Sequence, residues 1–112
     1  MDPEDLVRTV FERVHASDPA VGDLYAEDAI RVDQYGQRYE GRAAITGFYE
    51  SIFPTSSPHP QLECLFVTPP LVGALLRLPG KDGTAGLYLD LFELKDGLIH
   101  SLWVMFQPSA GD

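Results

Sequence analysis

From Leu62 to Phe106 the chain alternates short apolar runs with turn signals, and that punctuation decides the class of fold. Leu62 to Thr68, Leu71 to Leu78, Ala85 to Lys95 and Leu98 to Phe106 read as four strands, separated by Pro69-Pro70, by Pro79-Gly80-Lys81-Asp82-Gly83 and by Asp96-Gly97. Connections this short predict an antiparallel meander. Ahead of it lie two amphipathic helices. Asp2 can cap the first with Pro3 at its first position, Glu4 and Asp5 suit the positive end of the dipole, and Leu6, Val7, Val10, Phe11 and Val14 share a face, giving a helix over residues 3 to 16. Ile45, Phe48, Tyr49, Ile52 and Phe53 repeat the helical spacing over 42 to 53, and Pro54 ends it. Asp18-Pro19 starts a further short turn of helix, which Gly22 is expected to weaken, and Ile30 to Asp33 and Arg38 to Glu40 read as short strands joined by a turn. Helices first and strands afterwards predict an α+β domain whose curved antiparallel sheet is covered on one face by the helices. Such a sheet tends to enclose a pocket.

At 112 residues there is room for one domain, 1–112, and none for a second. Cys64 is the only cysteine, so a disulfide framework is excluded and a reducing, cytoplasmic setting is expected. It alternates with Leu62 and Phe66, which predicts a core position for it. Lys and Arg number 8 against 17 Asp and Glu, the wrong balance for nucleic acid or an anionic membrane surface. No apolar run approaches a membrane span, and the acidic N-terminus lacks the basic start of a signal peptide. His15, His59 and His100 show no metal-ligand spacing, so no metal is expected. His15 reads as a surface residue at a helix end and His59 as a solvated loop residue. No phosphate loop or nucleophile elbow is present.

The anomaly is Asp90, a carboxylate inside Leu87-Tyr88-Leu89-Asp90-Leu91-Phe92, a run apolar on both faces. Buried and unpaired, it should raise its pKa and keep its proton, becoming a hydrogen-bond donor. A two-residue turn at Asp96-Gly97 would set it opposite Trp103. A three-residue turn would set it opposite Leu102, on a face with His100, Val104 and Phe106; periodicity does not choose. Asp33, at the end of Ile30-Arg31-Val32, reads on turn chemistry as a capping aspartate.

The stretch Leu24-Tyr25-Ala26-Glu27-Asp28-Ala29-Ile30-Arg31-Val32-Asp33, then Gly41-Arg42-Ala43-Ala44-Ile45 through Tyr49, then Asp90-Leu91-Phe92-Glu93-Leu94-Lys95-Asp96-Gly97, resembles the ketosteroid isomerases and SnoaL-like proteins of the nuclear transport factor two-like superfamily. The resemblance implies a cystatin-like cone of curved sheet, an apolar ligand pocket and a homodimer through the outer sheet face, with Trp103 a candidate contact. It places Asp33 on the general base and Asp90 on the neutral acid of the oxyanion hole. Tyr25 and Tyr49 fall on the tyrosines that support an oxyanion tyrosine, whose own place on the first helix is taken by Val10. The resemblance also implies the three-residue turn, which would put Val104 and Phe106 on the pocket wall with Phe11, and counts Tyr25 among the substrate-binding residues. The expected function is a cofactor-independent proton-transfer enzyme, an isomerase or cyclase acting on a small hydrophobic carbonyl compound, with Asp33, Asp90 and Tyr49 as its catalytic groups. The alternative readings are a non-catalytic small-molecule-binding or dimerisation module of the same fold, or a hydrolase that activates water against an epoxide.

Overall fold

The computed structural model describes residues 1–54, 60–79 and 85–108. His59 and most of the Pro79–Gly83 turn lie outside the described residues. The first helix, α1, runs Pro3–His15, and its cap is the expected one: Asp2 accepts a hydrogen bond from the Asp5 backbone N–H at 2.8 Å, with Pro3 in the first turn. Its apolar stripe of Leu6, Val7, Val10, Phe11 and Val14 is buried. By area, each such side chain contributes roughly 1.5 to 3 kcal/mol. A 3-10 helix follows over Pro19–Leu24, started by Asp18. Gly22 does not interrupt this turn; a Cβ there would collide with Thr46 of the second long helix, so glycine permits close packing of the two.

Six strands follow: β1 Tyr25–Val32, β2 Arg38–Glu40, then after helix α2 (Arg42–Ile52) β3 Gln61–Thr68, β4 Leu71–Pro79, β5 Ala85–Lys95 and β6 Leu98–Pro108. Strand β1 begins five residues earlier than the run Ile30–Asp33 suggests, because Tyr25 already pairs with Ile99 of β6. The sheet order is β2-β1-β6-β5-β4-β3, an unclosed curved sheet. Its pairs are antiparallel except β1 with β6, which is parallel. No hairpin joins those two, so no turn dictates their direction. Between β2 and α2, Gly41 adopts φ of 94°, a conformation side chains disfavour, which lets the chain turn straight into the helix.

Register assigns the faces. Inward rows are Leu65, Ala74, Asp90 and Val104, then Val67, Val72, Phe92, Leu102 and Arg31. Trp103 and Met105 point to the other face, 43% and 44% exposed. A register shift between Leu62 and Cys64 in β3 separates these residues, so Cys64 shares the outer face with Leu75, Leu89 and Met105 and is only partly buried, not a core residue beside Leu62. The helices cover the concave face, α1 against β3 and β4 and α2 against β1 and β2. No helix among the described residues is long and apolar enough to cross a membrane.

Candidate functional site

The β5–β6 hairpin sets the site, and neither turn alternative describes it completely. Lys95 pairs with Leu98 across a two-residue turn in which Asp96 and Gly97 both have positive φ, 55° and 77°. One step further, a bulge leaves His100 without a partner, so that Leu94 pairs with Ile99 but Glu93 with Ser101. The extra residue puts Val104 opposite Asp90. Val104 and Phe106 therefore share the Asp90 face, as the longer turn would have had it, by a different route.

Asp90 lies on the wall of a cavity of about 310 Å³ between the helices and the concave face. Phe11, Val10 and Val14 of α1, Ile52 and Phe48 of α2, and Leu102 and Val104 of β6 supply its apolar lining. Asp90 is 8% exposed, and its Oδ1 is buried without a hydrogen-bond partner. Burial pushes its pKa up from 3.8 to about 7, with Arg31 acting in the opposite direction. Arg31, on the same wall, stacks its guanidinium 4.2 Å from the Phe48 ring centre. Its Nε and Nη1 are buried without acceptors, and it makes no ion pair with Asp90 within 4.0 Å. Desolvation pulls its pKa down, but Tyr49, Tyr25 and Asp90 outweigh that and raise it, so the cation persists.

Tyr49 lines the cavity, and its hydroxyl lies 2.8 Å from that of Tyr25, which is fully buried behind it. Tyr25 thus supports Tyr49 without reaching the cavity. Burial, then Tyr49, raises the Tyr25 pKa well above its ordinary value. Phe11 and Val104 are on the wall, whereas Phe106 is 44% exposed beyond it. Phe106 packs on Tyr88 with ring centres 4.8 Å apart, over Gly86, where a Cβ would strike its ring. Tyr88 stands between it and the cavity, so Phe106 buttresses the rim.

Asp33 is not among the residues that line the cavity. Its Oδ1 accepts the backbone N–H of Tyr35 and of Gln37, each at 2.9 Å, while the next residue, Gln34, lines the cavity. Asparagine retains that acceptor. Asp33→Asn should therefore shift stability by less than about 0.5 kcal/mol in urea unfolding, against about 1 kcal/mol for Asp33→Ala. Equal losses would show that the turn depends on the charge.

Arg31 carries no local signal in the sequence for a place on the cavity wall. Alternation puts it opposite in facing to Ile30 and Val32, and a charged residue between two apolar ones suggests solvent on its side. The sheet overturns that expectation for Arg31, which aligns with inward Leu102, whereas Val32 aligns with outward Trp103 and is buried all the same. Among the described residues no group of three or more His, Cys, Asp or Glu side chains could hold a metal.

No family model matches the chain, and no curated protein matches it in sequence. Solved structures match over nearly its full length. A nuclear transport factor two-like protein of unknown function from Mesorhizobium loti superposes with TM-score 0.82 at 22% identity, over 93% of this chain and 89% of its own. SalBIII, an epoxide hydrolase/cyclase-like enzyme of pyran ring formation in the polyether salinomycin, gives 0.78 at 22%, over 93% and 89%. A protein of Kribbella flavida named as a putative ketosteroid isomerase gives 0.80 at 19%, over 96% and 79%. At these identities the likeness defines an architecture, a helix-covered curved sheet around a cavity. It is the nuclear transport factor two-like fold, which this chain shares with ketosteroid isomerase-like and cyclase-like proteins.

Proposed function

We propose that the chain is a cofactor-independent enzyme that moves a proton on a small, largely apolar carbonyl compound, with Asp90 as the proton carrier. One observation carries this reading: the partnerless Oδ1 of Asp90 on the wall of an apolar cavity that also holds the Arg31 cation. Ionised Asp90 takes a proton from the carbon beside the carbonyl. The electron pair of that C–H bond moves into the new C=C bond as the carbonyl π pair passes to oxygen, where Arg31 and the Tyr49 hydroxyl stabilise the charge. Asp90 then returns the proton to the same carbon or, in an unsaturated ketone, to the far end of the shifted double bond. In this scheme Asp90 takes the base role expected of Asp33, because Asp90 lines the cavity whereas Asp33 does not and has its Oδ1 bonded into its turn. The isomerase and hydrolase/cyclase assignments among the structural neighbours support proton-transfer chemistry over a purely binding role.

The test is deuterium exchange at the carbon beside the carbonyl of cyclohexanone in heavy water, followed by NMR. Saturable exchange above buffer is expected, with kcat/KM rising through about pH 7 and then level, because the ionised carboxylate is the base. Asp90→Asn should lose at least about a hundredfold, and Asp33→Asn should stay within a few-fold. Exchange no faster than in buffer would return the chain to the binding-module reading. A collapse on Asp33→Asn with its fold intact would return the base role to Asp33.

We also propose a homodimer through the outer sheet face, where Trp103, Met105 and Phe66, 57% exposed, leave apolar surface uncovered. Trp103→Glu should turn a dimer into a monomer in sedimentation at micromolar concentration; a wild-type monomer would refute the proposal. The sole cysteine and acidic balance suit a cytoplasmic protein without nucleic-acid partners.

A further inference from the structure

The cavity wall carries two groups able to bear full charge near neutrality, Arg31 and Asp90. They stand on either side of β6, aligned with Leu102 and Val104, too far apart for an ion pair. Each is unsatisfied in its own way. Arg31 lacks acceptors at Nε and Nη1, and Asp90 lacks a partner at Oδ1. The neighbouring hydroxyls of Tyr25 and Tyr49 are bonded to each other, and Tyr49 also hydrogen-bonds the Arg31 side chain, a neutral partner that leaves the cation's charge uncompensated. With Asp90 protonated, the wall holds one net positive charge and one spare O–H donor. An ammonium group would be repelled by Arg31, and an amide or alcohol would leave the buried cation without a counterion. A carboxylate supplies both acceptors and charge.

We infer that this cavity is a binding site for small apolar carboxylates, with the ligand's charge set against Arg31, its body against Phe11, Ile52 and Val104, and a proton retained on Asp90. The location rests on the proposed reading of the cavity, whereas the charge argument needs no turnover. In that reading the same charge state arises after proton abstraction, when Asp90 is protonated and a negative oxygen faces Arg31. Small carboxylates should therefore inhibit by imitating it.

Other groups facing Asp90 do not compete for this proton. Tyr25 and Tyr88 are pushed up by burial, while α1, β4 and β6 present Val10, Ala74 and Val104. Carboxylate binding should thus weaken as Asp90 ionises, about tenfold between pH 6 and about pH 8.

The experiment is titration calorimetry of the full chain with cyclohexanecarboxylate, cyclohexanecarboxamide and cyclohexylmethylammonium. At about pH 6 the carboxylate should bind at least about tenfold tighter than the amide, a preference supplied by the charge-assisted contact. Arg31→Met should abolish the preference while keeping amide binding, and Asp90→Asn should keep the preference while removing its pH dependence. If Arg31→Met fails to fold, the wild-type comparison of carboxylate with amide decides alone. Amide or ammonium binding as tight as carboxylate, or no carboxylate binding at millimolar concentration, overturns the inference. Carboxylate binding without ketone exchange would overturn only the proposed enzyme activity, and exchange without carboxylate preference would overturn only this inference.

Discussion

Asp90→Asn should make the protein more stable above neutral pH while removing its activity. The folded carboxyl titrates at about 7 against an ordinary value of 3.8, so across that window the folded chain holds a proton the unfolded chain has released. Wild-type stability must then fall as pH rises from about 4 to about 7 and stay level above, because the folded state is the one that binds more protons. With about 1.4 kcal/mol for each pH unit of displacement, the loss is on the order of 4 kcal/mol. Asparagine has nothing to titrate there. Urea unfolding of both proteins at about pH 4, 6 and 8 should show curves that converge in acid and separate above neutrality, the variant on top. Parallel curves would show that Asp90 is solvated in the folded protein. A destabilising carboxylate kept in a cavity is what a trade of stability for activity looks like.

Arg31→Met should cost activity and move the titration of Asp90. The cation lowers the Asp90 pKa, so its removal should carry the midpoint of the pH–rate profile above 7, and the loss of oxyanion stabilisation should lower kcat about a hundredfold or more. Stability should change little or improve in acid, because methionine fills much of the same space and no longer buries nitrogens that lack acceptors. Arg31→Lys keeps a charge without the planar group that stacks on Phe48, and should recover the midpoint better than the rate. A profile unmoved by either substitution would separate Arg31 from the chemistry.

Much of this architecture is legible in the chain because the signals are local. Asp2-Pro3 and the stripe from Leu6 to Val14 specify α1 within one residue of its observed end, and Pro54 limits α2. Asp90 announces itself by standing in an apolar run. What escapes is set by pairing at long range. The start of β1 at Tyr25 depends on Ile99, more than seventy residues away, and the inward facing of Arg31 depends on its parallel alignment with Leu102. Asp33 shows the opposite case. Its turn chemistry, read from the residues alone, matches its two backbone hydrogen bonds, whereas the catalytic role came from resemblance. Phe106 has the facing expected of it but lies further along β6 than the helices reach, a matter of length rather than periodicity.

The bulge at His100 has a meaning for how this scaffold diversifies. Without that one extra residue, the two-residue turn would set Trp103 opposite Asp90, and every side chain of β6 beyond it would exchange faces. The indole and Met105 would enter the cavity, and Val104 would move to the surface that we propose meets a second copy. A single codon gained or lost at this point thus rewrites the ligand wall and the subunit contact together, with no change to the hairpin turn or to Asp90 itself. Substrate choice and assembly are coupled here through the parity of one strand.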